Sequence, residues 1–171
     1  MKATARKVIP IAPEQARTVV IRLEPSIPEE ARFFFLGQAL RRIREFAEKY
    51  DTDGDGKVLS VEIQRDFAKE MNHEYFLAIA VREGRITAHF LAQAVEYERK
   101  LYVWVKQWEI DEGEKAPPGQ IKQMFELFDR WKRDIGAAGM RCQAQTEAHV
   151  RLYKKMGWKH KFTVMMEGGT S

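Results

Sequence analysis

Apolar residues recur at three- and four-residue spacing in several stretches of the chain. Leu36, Leu40, Ile43, Phe46 and Ala47 form one such stripe and predict a helix from about Pro28 to Lys49, with Arg41, Arg42 and Arg44 off the stripe. Ile63 and Phe67 predict a second helix, about Ser60 to Met71. Ile121, Met124, Phe125, Phe128, Trp131 and Ile135 predict a third, which Gly136 and Gly139 end. From Tyr75 the pattern changes to strands. Tyr75 to Val81 is an unbroken apolar run of strand length, and Arg82 to Arg85 reads as a hairpin turn. Ile86 to Val95 and Leu101 to Ile110 are the next strands, joined by the charged turn Glu96 to Lys100. Met140 to Gln145 is a short strand, Glu147 to Met156 a helix, and Lys161 to Glu167 a last strand. Lys7 to Ile11 reads as a first strand. From Pro13 to Leu23 the expectation is a helix, with Ala16, Val19, Val20 and Leu23 on one face, although the β-branched run Thr18 to Ile21 suits a strand.

Composition narrows the class. The 171 residues suit one domain spanning 1–171. The single cysteine fits a reducing interior, because it has no partner for an internal disulfide. Lys plus Arg is 29 and Asp plus Glu is 25, giving a net charge of +4. Acidic residues are interleaved almost everywhere, so nucleic acid is not the expected partner. No run reaches the ~18 apolar residues of a membrane span, and neither a membrane partner nor a secretory signal is expected.

The most specific signal lies between the first two helices. Asp51-Thr52-Asp53-Gly54-Asp55-Gly56-Lys57-Val58-Leu59-Ser60-Val61-Glu62 fits the twelve-residue calcium loop of a helix–loop–helix. Ca²⁺ is a hard ion that takes six to eight oxygens at flexible angles. Alternating Asp51, Asp53 and Asp55 bring carboxylates together as the chain winds round the ion. Gly56 allows the sharp turn, Lys57 offers its backbone carbonyl, Val58 tacks the loop to the core, and Glu62 binds through both oxygens. Leu59 at the ninth position holds no ligating water, which points to a weak site. Residues 29–71 thus resemble an EF-hand, here unpaired. The resemblance implies a Ca²⁺ clip between two helices. A calcium sensor is the alternative, and its mark is an apolar groove opened by the ion.

The element order from Tyr75 onward, three strands, helix, strand, helix and strand, resembles the GNAT superfamily of acetyl-CoA-dependent N-acetyltransferases. The local match is Ala148-His-Val-Arg-Leu-Tyr-Lys-Lys-Met-Gly-Trp158-Lys159, similar to the family's late helix. The resemblance implies an α+β fold with a mixed, mostly antiparallel sheet and helices on both faces. It places the helix–loop–helix in the N-terminal helical section. It makes Tyr153 the candidate catalytic residue, a general acid for the departing CoA thiolate. The family's glycine-rich phosphate loop is missing. Its interval, Glu109 to Gln120, holds Glu109, Asp111, Glu112 and Glu114, which repel a pyrophosphate, and Pro117 and Pro118, which lack amide donors. The family's asparagine at the start of the late helix is not evident either; Thr146 and Glu147 stand there.

Other candidates read as structural. His149 suits a helix surface, Cys142 a small buried hydrophobe, and His73 and His89 lack zinc-ligand spacing. Trp104, Trp108, Trp131 and Trp158 read as core or sheet cover. The ending Thr146 to Trp158 and the turn Pro25 to Pro28 resemble small GNAT-like internal virion proteins of short-tailed phages. That resemblance implies a phage origin; with the calcium loop and the missing phosphate loop, the expectation is a calcium-binding, non-catalytic structural or interaction protein with protein partners. Its place is the cytoplasm of a bacterial host or a phage virion, and a homo-oligomer could pair two loops. The alternative is an acetyl-CoA-dependent N-acetyltransferase with an atypical cofactor loop, its thioester held on the sheet near Trp104 to Trp108.

Overall fold

The structure is a computed structural model that describes residues 18–50, 56–68, 74–111, 119–142, 150, 151 and 154. The expected strands at Lys7 to Ile11 and Lys161 to Glu167, the aspartates Asp51, Asp53 and Asp55, the acidic interval 112–118, His73, His149, Trp158 and Tyr153 lie outside those residues.

One expectation fails at the start. Val19–Arg22 is a strand, β1, where a helix was expected. Its β-branched residues pair antiparallel with β2 (Tyr75–Arg82), Val19 against Val81 and Arg22 against Ala78. Pairing with an existing sheet outweighs a helical stripe of only a few residues. Helix α1 (Glu29–Tyr50) follows, then α2 (Gly56–Ala68), which begins four residues earlier than its apolar spacing suggests. Strands β3 (Arg85–Tyr97) and β4 (Lys100–Ile110) complete an antiparallel meander. Helix α3 (Gln120–Asp134) then crosses over to β5 (Gly139–Cys142), which joins β4 in parallel. The five described strands lie side by side in chain order, β1 to β5.

Helices cover both faces, as expected. Leu36, Leu40 and Ile43 of α1, with Ile63 and Phe67 of α2, bury against Tyr75, Leu77, Ile79 and Leu91. Met124, Phe125, Phe128 and Trp131 of α3 bury against Phe76, Ala78, Phe90 and Trp108 on the other face. This explains why β2 reads as an unbroken apolar run, since a strand covered on both sides has no polar alternation to show. Small residues (Ala78, Ala80, Ala88 and Ala92) on the α3 face leave room for its aromatic rings. Helix α3 ends where Gly136 takes φ 67° and Ala137 N–H returns to the Lys132 carbonyl.

Two tight turns join the meander. Glu83 and Gly84 both have positive φ, which the twist of a two-residue hairpin requires. The second turn places Glu98 at φ 50° and Arg99 at φ 61°. Side chains in this left-handed region cost about 1–2 kcal/mol each. Replacing Glu98 with Asn and Arg99 with Gly should therefore stabilise the protein by about 1–2 kcal/mol. Thermal unfolding checks this, with about 2–4 °C expected per kcal/mol in a chain of this size.

Candidate functional site

Strand β4 changes register at Lys106. Leu91 pairs with Gln107 and Ala92 with Val105, so Lys106 has no partner on β3. This bulge shifts the alternation. Val103 and Val105 face α3 before it, and Trp108 and Ile110 after it. Gln107 and Glu109 are thereby turned toward α1. On the other side of β4, pairing with β5 runs only from Tyr102 to Val105. Among the described residues, nothing pairs with Lys106–Ile110 along that edge.

A polar network fills the space between this outer half of β4 and α1. Gln107 Nε2 donates to the Ile43 carbonyl at 3.2 Å. That fixes Gln107 Oε1 toward His89 Nε2, 3.1 Å away, so Nε2 carries the proton. His89 has no exposed surface. Burial, with a smaller push from Arg42, pulls its pKa down to about 4, against opposing effects of Gln107 and Asp111. The ring is therefore neutral at pH 7, and the 3.7 Å approach of Nδ1 to Glu109 Oε2 is not an ion pair there. Burial raises the Glu109 pKa, with Arg42 opposing. The Arg42 guanidinium donates to the Ile86 carbonyl at 3.1 Å and to Glu109 Oε2 at 3.3 Å, and it pairs with Asp111. Asp111 N–H donates in turn to the carbonyl of Thr87, the bulged residue of β3. The network ties α1 to the end of β4.

Of the expected site residues, Lys57 and Glu62 fall among the described residues. Lys57 is in α2, where a helical carbonyl points along the axis to the amide four residues on. Glu62, also in α2, accepts a hydrogen bond from the Tyr75 hydroxyl at 2.7 Å. Val58 is 57% exposed rather than tacked to the core, because the early start of α2 turns it outward while Ile63 faces in. The described part of the loop therefore lacks the EF-hand conformation. Among the described residues no acidic, histidine or cysteine side chains gather to hold a metal.

The fit to a CoA pyrophosphate is partial. Helix α3 follows Gly119 (φ 87°), and no side chain among the described residues caps its first amides, the kind of groups that bind an anion. Arg42 takes up Glu109 and Asp111, two of the four carboxylates that stand against such a ligand. Glu112 and Glu114 lie outside the described residues. Gln120 is turned into the core rather than toward a ligand.

No protein family and no curated protein matches the chain by sequence. Solved structures do match by fold. A GCN5-related N-acetyltransferase from Ralstonia eutropha JMP134 superposes with a TM-score of 0.65 at 13% identity, covering 88% of this chain and 98% of that one. A predicted acetyltransferase from Clostridium acetobutylicum, solved with acetyl-CoA, gives 0.64 at 11% identity, over 89% and 96%. A putative acetyltransferase from Pyrococcus furiosus gives 0.63 at 12%, over 89% and 99%. The fold is GNAT-like. Within this GNAT-like sheet, Trp108 and Trp131 are core residues as expected, but Trp104 is 37% exposed. The network of Arg42, His89, Gln107 and Glu109 is absent from the sequence expectations. The available signal was His89 within the apolar stretch Ala88–Ala92, and Gln107 and Glu109 on either side of Trp108. No described helix is long and apolar enough to cross a membrane.

Proposed function

We propose that this chain is a non-catalytic GNAT-like interaction protein with a weak Ca²⁺ site at Asp51–Glu62. The observation that carries the reading is the closed network at the outer half of β4. Amine acylation calls for a group that can take a proton from the acceptor. The carboxylate best placed along this edge, Glu109, is held by Arg42, and His89 is sealed under α1. Both serve to fix a helix to the sheet. The prolines and acids between Glu109 and Gln120 support the same reading. So does the phage-like ending Thr146 to Trp158, which suggests a bacterial cytoplasm or a virion as its place. In this reading Tyr153 has no catalytic role.

A calorimetric titration of acetyl-CoA into the Ca²⁺-saturated protein tests this. The expected result is no heat. Micromolar binding overturns the proposal in favour of the second reading, an acetyl-CoA-dependent N-acetyltransferase with Tyr153 as general acid. One observation favours that reading: Arg42 neutralises half of the acidic set that would repel the cofactor.

Calcium binding must work against the structure described above. An EF-hand arrangement unwinds the first turn of α2 and separates Glu62 from Tyr75. The site is accordingly expected near the weak end of such loops, at about 10⁻⁴–10⁻³ M. Millimolar Ca²⁺ should raise the melting temperature through linkage, and Glu62→Gln should remove that effect. A flat response of the unaltered protein would exclude the site.

A further inference from the structure

On the sheet face shared with α1, the far ends of β3, β4 and β5 are left uncovered by the helix. Paired residues share a face, so Tyr97 stands beside Lys100, Val95 beside Tyr102, Gln93 beside Trp104, and Trp104 beside Arg141. The Arg141 guanidinium lies 4.8 Å from the Tyr97 ring centre and 5.0 Å from that of Tyr102. Lys106 Nζ lies 5.2 Å from the Trp104 ring centre. Tyr97 and Trp104 are 49% and 37% exposed. Gly139 sits directly against the Tyr102 ring, where an added Cβ would meet ring carbons at 3.5 Å. Among the described residues, neither Lys106 nor Arg141 has a carboxylate partner. Glu96 pairs with Leu101 and so belongs to the opposite face.

We propose that this patch of Tyr97, Tyr102, Trp104, Lys106 and Arg141 docks an acidic peptide segment of a partner protein. The inference deepens the interaction-protein reading and rests on it. Cations held over rings are partly desolvated and pre-positioned, so they lose little side-chain freedom when an anion arrives. A guanidinium with its face on a ring keeps its N–H fork at the edge, where a carboxylate binds side-on. The exposed ring edges supply apolar area around that contact, and Trp, Tyr and Arg are the residues that dominate such interfaces. A single-stranded nucleic acid fits less well. It needs open ring faces on which bases stack, and here Arg141 and Lys106 occupy them.

The test is fluorescence anisotropy with a fluorescein-labelled peptide of Glu-Glu-Leu repeats, titrated with the full chain at physiological salt. Arg141→Glu and Lys106→Glu should each weaken binding about tenfold or more. Trp104→Ala should weaken it as well. Arg130→Glu, an exposed cation on α3, should leave it unchanged. All four positions are at least partly exposed, and circular dichroism checks that each variant folds. Absence of peptide binding by the unaltered chain overturns the proposal. So does an Arg130→Glu effect equal to that of Arg141→Glu, which would show attraction by net charge alone. Tighter binding of an oligothymidylate, lost in the same variants, reassigns the surface to nucleic acid and also overturns it. The acetyl-CoA titration is read separately: a chain that binds both ligands keeps this surface and loses the non-catalytic reading.

Discussion

Trp131→Ala should cost about 3–5 kcal/mol, the range for removing a large buried aromatic side chain. Trp131 is 1% exposed and lies 5.4 Å from Phe76 and 6.1 Å from Phe128, ring centre to ring centre. It is the last apolar residue of α3 that the sheet fully buries, so truncation opens a cavity between α3 and β2. Rigid backbone on the sheet side prevents collapse of that cavity. Trp131→Phe tests the same site in a different way. Among the described residues the buried indole Nε1 has no hydrogen-bond partner, and a donor left so costs about 1–3 kcal/mol. Phenylalanine loses contact area but removes that unsatisfied donor. Its cost should be no more than about 1–2 kcal/mol. Urea unfolding of both variants decides the matter: a Trp131→Phe loss as large as that of Trp131→Ala would overturn this account.

The second large effect is a loss of stability in acid. The His89 pKa of about 4 in the folded chain lies below its ordinary value of 6.5. As pH falls from 6.5 toward 4, the unfolded chain takes up a proton that the folded chain refuses. The stability contributed by neutral His89 is therefore present above pH 6.5 and is lost through this window, to a limit of about 3 kcal/mol. Glu109 acts in the opposite direction. Its raised pKa means that the folded chain takes a proton more readily than the unfolded one, so falling pH favours folding at that site. The unaltered protein shows the difference of the two. His89→Gln should flatten the fall in urea midpoint between pH 7 and about pH 4.5, and Glu109→Gln should steepen it. A His89→Gln profile parallel to that of the unaltered protein would show that some other group sets the acid sensitivity.

Much of the fold was legible because its signals are local. The stripe from Leu36 to Ala47 and the run Tyr75 to Val81 need no knowledge of the rest of the chain. Val19–Arg22 was misread because its structure depends on a partner strand more than fifty residues away. Trp104 was misplaced for a related reason. Period-two alternation marks a face but not whether a helix reaches it, and α1 covers Leu91 but not the far ends of β3 and β4. The polar network stayed hidden because Arg42, His89, Gln107 and Glu109 come from three elements and meet only when α1 docks. The bulges at Thr87 and Lys106 left no mark in composition at all, although they decide which side chains face that network.

The spatial order of the strands also has a kinetic consequence. β2, β3 and β4 are joined by two-residue turns, so their pairings close short loops at small entropic cost. β1 must wait for α1 and α2 to be bridged, and β5 for the crossover through α3. The meander from Tyr75 to Ile110 is thus the natural nucleus, with both outer strands arriving late. Changes within Phe76 and Phe90 should slow folding, whereas changes in β1 or β5 should mainly speed unfolding.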